Sequence, residues 1–214
     1  MTNQIELTSQ RIKQAGIVAI LRGDYSLEAI CQIADALLAA ELSVIEVTLN
    51  TKGALEAIAH LRAKLGDRML IAAGTVRTST LFDQAVQAGA HFTVAPNFDP
   101  ATAARAQAKQ VLHLPGVFTP TEAQTAFASG CRMLKLYPSE FNGPAYLKTL
   151  RAPLDDIDFV PTGGVSLSNI ALYAQVGAAA VGIGGSLIPK AGWSPDEITA
   201  KARALRAVWL GARS

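Results

Sequence analysis

The chain holds 214 residues, half of them hydrophobic, with 17% charged and only 6% aromatic. That apolar share excludes a disordered chain, and 19 basic against 17 acidic side chains leave a formal charge of +2, too small a surplus for a nucleic-acid or anionic-membrane surface. With no run of about 18 apolar residues, no leader-like start and only Cys31 and Cys131, the chain reads as cytoplasmic, without a membrane span or a disulfide framework.

No linker, charge block or low-complexity stretch divides the sequence, so residues 1–214 are expected to form one domain. A cadence repeats instead. Short β-branched runs fall at 16–22, 43–49, 69–73, 91–95, 111–114, 132–137, 157–160 and 179–183. Helical patterns fill the gaps at 26–40, 53–65, 80–88, 100–109, 121–128 and 168–175, with a short helix at 144–150 and a last one at 195–210. Ser26, Thr78, Asp99 and Thr119 stand where N-caps belong. Gly66, Gly89, Gly130 and Gly177 stand where helices stop. Eight strand–helix alternations favour an α/β fold of the (β/α)8 TIM-barrel kind over a doubly wound open sheet.

A barrel places chemistry at the C-terminal ends of its strands. Read in order, those ends carry Arg22-Gly23, Glu46 and Thr48, Gly74-Thr75, Pro96-Asn97, Pro115-Gly116, Lys135, Thr162-Gly163-Gly164 and Gly184-Gly185-Ser186. Side chains alternate along a strand. Val44, Glu46 and Thr48 therefore share the inward face of the second run, and Met133, Lys135 and Tyr137 that of the sixth. Val18, Ile20 and Arg22 face inward in the first. Ile71, Ala73 and Thr75 are expected inward in the third. Arg22, Glu46, Thr75 and Lys135 then converge on one axis.

A buried Glu46–Lys135 ion pair held for stability alone remains an alternative, although apolar packing generally does as well. The chemical reading is richer. Burial disfavours the charged form of a lysine and leaves an amine that can attack a carbonyl. The resulting imine withdraws electrons from the neighbouring carbon, and a nearby carboxylate can move protons. Arg22 and the Thr75 hydroxyl suit a substrate carboxylate. The glycine pairs after the seventh and eighth runs suit a phosphate. His60, His91 and His113 lack metal-ligand spacing, so no metal and no cofactor are expected. Ser186 has no triad signature, and both cysteines read as structural.

At these residues the chain resembles the class I aldolases acting on 2-keto-3-deoxy-6-phosphogluconate and 4-hydroxy-2-oxoglutarate. The resemblance spans about residues 17–188. It rests on ILRG at 20–23, EVTL at 46–49, AGTV at 73–76, LKLYPS at 134–139, PTGGV at 161–165 and GGS at 184–186. It implies that Lys135 is the Schiff-base lysine and Glu46 the general acid/base. It also implies that Arg22, Thr75 and Thr162 contact the pyruvate part and that Pro96 lines the pocket. Gly163, Gly164, Gly184, Gly185 and Ser186 would surround the phosphate. A homotrimer acting in the Entner–Doudoroff route is implied as well, with pyruvate and a phosphorylated 2-keto-3-deoxy sugar acid as the small-molecule partners.

Gluconate-type members commonly read EVTLRT, whereas this chain has Asn50 after Leu49. Asn50 and the FNGPAYL stretch at 141–147 look more like the aldolases for 2-keto-3-deoxy-6-phosphogalactonate. Thr48 and Pro161-Thr162 look like the gluconate type. Asn50 is therefore the candidate specificity residue. A phosphosugar epimerase or isomerase, and a non-catalytic phosphosugar-binding barrel, are the more distant alternatives. The inward lysine argues against both.

Overall fold

The structure, a computed structural model, describes residues 4–213. Its elements run α1 (Gln4–Ala15), β1 (Ile17–Leu21), α2 (Leu27–Ala39), β2 (Val44–Thr48), α3 (Ala54–Leu65), a 3-10 turn (Gly66–Arg68), β3 (Leu70–Gly74), α4 (Ser79–Gln87) and β4 (Phe92–Val94). There follow α5 (Pro100–Lys109), β5 (Leu112–Leu114), β6 (Gly116–Val117), α6 (Pro120–Ala128), β7 (Met133–Leu136), α7 (Gly143–Arg151), β8 (Asp158–Pro161), α8 (Ile170–Gln175), β9 (Val181–Ile183) and α9 (Pro195–Gly211). The fold is α/β. Every strand pairing is parallel, in a curled six-stranded sheet of order β5-β4-β3-β2-β1-β9 and a three-stranded sheet of order β6-β7-β8.

The expected caps form. Ser26, Thr78, Asp99 and Thr119 accept from the backbones of Ala29, Leu81, Thr102 and Glu122. Each such cap satisfies an amide that the first helical turn leaves unpaired. Just past the fifth run, Pro115, which has no N–H to give a ladder, separates β5 from β6, a two-residue strand that was not expected. Its carbonyl still accepts from the Lys135 amide at 2.9 Å.

Two apolar layers hold the sheets. The larger lies between strands and helices and takes Ile17, Ile45, Ile71, Leu134 and Phe159. The smaller draws on both sheets at once, through Val18, Val44, Leu70, Phe92, Leu112, Met133 and Val160. Ile12 of α1 joins this second layer. Helix α1 was not expected from the sequence, because most of its residues are polar. Its fully buried positions are Thr8 and Ile12, four apart, and Ile5 and Ala15 pack against the same layer, which marks one narrow apolar face.

One expected phase is wrong. In β3 the residues sharing the second layer are Leu70 and Ala72, while Ile71 and Ala73 pack toward the helices. Parallel pairing enforces this, since Val44 stands opposite Leu70 and Glu46 opposite Ala72. Thr75 lies beyond the strand at φ +62°, so alternation does not aim its side chain. His113 packs edge-on against Phe82 of the helix-side layer. Among the described residues no helix is long and apolar enough to cross a membrane.

Candidate active site

The strand ends of β1, β7, β8 and β9 open onto one cleft of about 500 Å³. Arg22, Lys135, Thr162, Gly163, Gly164, Gly184, Gly185 and Ser186 all line it, as the sequence suggested. Thr162 also bridges the two sheets, pairing in parallel with Gly182.

Lys135 sits on β7 with 3% of its surface exposed. Leu134 and Leu136 on either side belong to the helix-side layer, so alternation turns the lysine into the cleft. Its ammonium lies 4.9 Å from the Tyr137 ring centre. Burial is the main cause holding its pKa below the ordinary lysine value. The nearby Glu46 charge opposes that fall, and the Arg22 charge adds to it.

Glu46 is 2% exposed on β2. It makes no ion pair with Lys135 among the described residues, and its buried Oε1 has no hydrogen-bond partner. A carboxyl oxygen in that state is costly and calls for a reason beyond stability. Gly74 makes room for it. A Cβ at Gly74 would lie 2.6 Å from the Glu46 Cδ and closer still to Oε1. The stability-only alternative required a closed buried pair, and these two groups do not make one.

The glycine loops differ in kind. Gly163 and Gly164 take φ of +99° and +71°, conformations that other residues rarely adopt. Gly164 also abuts Glu140, whose Cα would lie 3.0 Å from an added Cβ. Gly184 and Gly185 need no unusual φ, and a Cβ on Gly185 would meet nothing within 4 Å. Ser186 Oγ donates to the Val165 carbonyl at 2.8 Å and ties the two loops together. Among the described residues the amides of Gly164, Val165, Gly185 and Ser186 donate to no acceptor. Four bare N–H groups in the lining of one cleft can serve as an anion cradle.

Four expected site residues are not in that lining: the buried Glu46, Pro96, Thr75 and Asn50. Pro96 lines a neighbouring cavity of about 330 Å³, which shares Tyr137 with the main cleft. Thr75 and the exposed Asn50 are not part of the main cleft's lining. Asn50 precedes Thr51, whose Oγ1 meets the Gly23 amide at 3.4 Å and the Thr48 hydroxyl at 3.1 Å. That contact sets the loop after β2 beside the Arg22 loop. Conversely, Tyr137, Glu140, Ser166 and Lys190 line the cleft without having been singled out. Alternation had aimed Tyr137 inward. The other three sit in irregular loops, and their only signal is their short distance past a strand end. Among the described residues no three His, Cys, Asp or Glu side chains cluster as a metal site.

Residues 8–203 match the family model for aldolases described as KDPG and KHG aldolase. The chain belongs to the KDPG and KHG aldolase family. It is 39% identical over 181 residues to the 2-dehydro-3-deoxy-phosphogluconate aldolase of Pseudomonas aeruginosa, covering 84% of this chain and 81% of the relative. It is 36% identical over 194 residues to the probable 2-dehydro-3-deoxy-6-phosphogalactonate aldolase of Rhizobium meliloti, covering 90% and 91%. Among solved structures it is similar to the Legionella pneumophila KDPG aldolase with pyruvate captured as a covalent carbinolamine, at TM-score 0.78 and 26% identity over 96% and 98% of the two chains. Membership in the KDPG and KHG aldolases makes this chain a carbon–carbon lyase.

Proposed function

We propose that this protein is a class I aldolase that cleaves 2-keto-3-deoxy-6-phosphogluconate to pyruvate and D-glyceraldehyde 3-phosphate, with 4-hydroxy-2-oxoglutarate as a smaller substrate. The observation that carries the proposal is Lys135, buried in the cleft wall with its pKa lowered, within reach of the charge of Glu46, whose buried Oε1 has no partner. The neutral amine attacks the C2 carbonyl. Loss of water from the carbinolamine gives a protonated imine, an electron sink. Glu46 takes the proton of the C4 hydroxyl as the C3–C4 bond breaks, and the bonding pair moves into an enamine. Glyceraldehyde 3-phosphate leaves. The enamine carbon is protonated, and water releases pyruvate and the free lysine.

In this reading Arg22, Thr162 and Thr75 hold the substrate carboxylate. Gly163, Gly164, Gly184, Gly185 and Ser186 receive the phosphate, and Pro96 closes the side toward Tyr137. The reaction so written uses no cofactor. A second reading, the C4 epimer 2-keto-3-deoxy-6-phosphogalactonate, is favoured by Asn50 and by the Rhizobium meliloti relative. Comparing kcat/KM for the two epimers in wild type and Asn50→Arg separates them.

We further propose that both sheets close into a single (β/α)8 barrel within one domain over residues 1–214. The interior layer shared by the two sheets, the Thr162–Gly182 bridge and the Pro115–Lys135 hydrogen bond support this. A homotrimer in the cytoplasm, serving the Entner–Doudoroff route, follows from the family resemblance. The decisive experiment is reductive trapping. Incubation with pyruvate and borohydride should add one reduced pyruvyl group, and Lys135→Ala should abolish it. No adduct in the wild type, or an adduct that persists in Lys135→Ala, defeats the assignment.

A further inference from the structure

We propose that Lys190 is the cation that recognises the substrate phosphate, and that Tyr25 positions it. The inference rests on the aldolase reading and extends it to a residue outside the glycine loops.

Lys190 lines the same cleft as Lys135, six residues past Gly184. The chain between them is pinned. The amides of Leu187 and Ile188 both donate to the Gly184 carbonyl at 2.9 Å. Both side chains are buried. The Tyr25 hydroxyl then donates to the Pro189 carbonyl at 3.0 Å. Tyr25 is itself buried, three residues beyond Arg22. A buried anchor therefore fixes the backbone immediately before Lys190, and its side chain enters the cleft from that fixed point.

Two exposed cations line the cleft, Arg22 and Lys190, and neither is in an ion pair among the described residues. The acid in the same lining, Glu140, is paired with neither. The two cations serve different ends of the cleft. Arg22 lies close enough to Lys135 for its charge to be felt there, which places it at the imine end. Lys190 lies instead on the loop after β9. It follows the Gly184-Gly185-Ser186 turn, where the free amides are. Amides offer partial charges, whereas a phosphate carries close to two negative charges at neutral pH. A lysine point charge beside the cradle supplies the missing full charge.

The test compares Lys190→Ala and Lys190→Arg with wild type in three assays. With the phosphorylated substrate, Lys190→Ala should raise KM by about ten- to a hundredfold, the loss of one charge-assisted contact, with a much smaller change in kcat. Lys190→Arg should restore most of the affinity. Exchange of the pyruvate methyl protons in D2O, which involves no phosphate, should stay within about twofold of wild type. Titration with inorganic phosphate followed by 31P NMR should show at least about tenfold weaker binding. Tyr25→Phe should raise KM for the phosphorylated substrate several-fold. An unchanged KM and phosphate affinity in Lys190→Ala overturns the proposal, as does an equal loss in the pyruvate exchange. A wild type that neither traps nor exchanges pyruvate defeats the aldolase reading separately, and the phosphate titration still decides for or against Lys190.

Discussion

Gly74 offers a way to move the Glu46 carboxyl without altering it chemically. A Cβ at this position would stand 2.6 Å from the Glu46 Cδ and 2.8 Å from its Cγ, with Oε1 nearer still. Ordinary contact needs about 3.5–4.0 Å, so the carboxyl must retreat by roughly 1 Å. Gly74 does not have a positive φ, so alanine brings no backbone strain. The obstructed group is the end of a flexible side chain, and the fold should survive with a loss of about 1–3 kcal/mol. Catalysis should suffer far more, because a misplacement of that size costs about a hundredfold in rate. The assay is steady-state cleavage of the phosphorylated substrate beside a thermal melt. Gly74→Ala is expected to lower kcat about a hundredfold, with Tm falling by several degrees at most. Pyruvate binding and borohydride trapping should persist, since Lys135 is not displaced. A folded Gly74→Ala enzyme with kcat within a factor of two of wild type would refute the role given to the Glu46 position.

The Lys135 amine must be neutral to attack, so trapping by pyruvate should rise with pH through its lowered pKa. Arg22 contributes to that lowering, and Arg22→Met should therefore shift the rising limb to higher pH. A shift to lower pH, or none, refutes the coupling. His113 provides a stability reading away from the site. Burial holds its pKa at about 4, and its Nδ1 lies 2.8 Å from the Thr93 hydroxyl. The folded state keeps it neutral while the unfolded chain protonates near 6.5, so its stabilising contribution is whole above pH 6.5 and lost as pH falls toward 4. At 1.36 kcal/mol per unit the window spans about 3 kcal/mol. Urea unfolding at pH 7 and pH 4 should show a smaller loss in His113→Gln than in wild type. Equal losses would contradict the burial effect.

Much of this was legible in the sequence. Helix caps, glycine stops and β-branched runs are local signals, because they report backbone needs within a few residues. The direction of Lys135 and Glu46 was legible too, since apolar neighbours on both sides of a strand leave a charge only one face. The phase of β3 was not. Its residues Leu70 to Ala73 are all apolar, so alternation had nothing to work on, and pairing with β2 decided which face turned inward. Helix α1 escaped for the opposite reason: its one buried face is narrow within a polar segment, and only the apolar layer against Ile12 shows why it is there.

By itself the sequence determined the repeating strand–helix order, and it marked Lys135, Glu46, Arg22 and the two glycine loops as unusual. Only the tertiary structure decided which of them meet. Burial, the charge felt from Arg22 and Glu46, the bare amides of two loops and the space left by Gly74 all arise between segments far apart in the chain. The entry of Lys190 into the cleft depends on a hydrogen bond from Tyr25 to Pro189, more than 160 residues away. Local sequence sets what each strand end can offer, while distance and desolvation, which are properties of the folded whole, set what those groups do together.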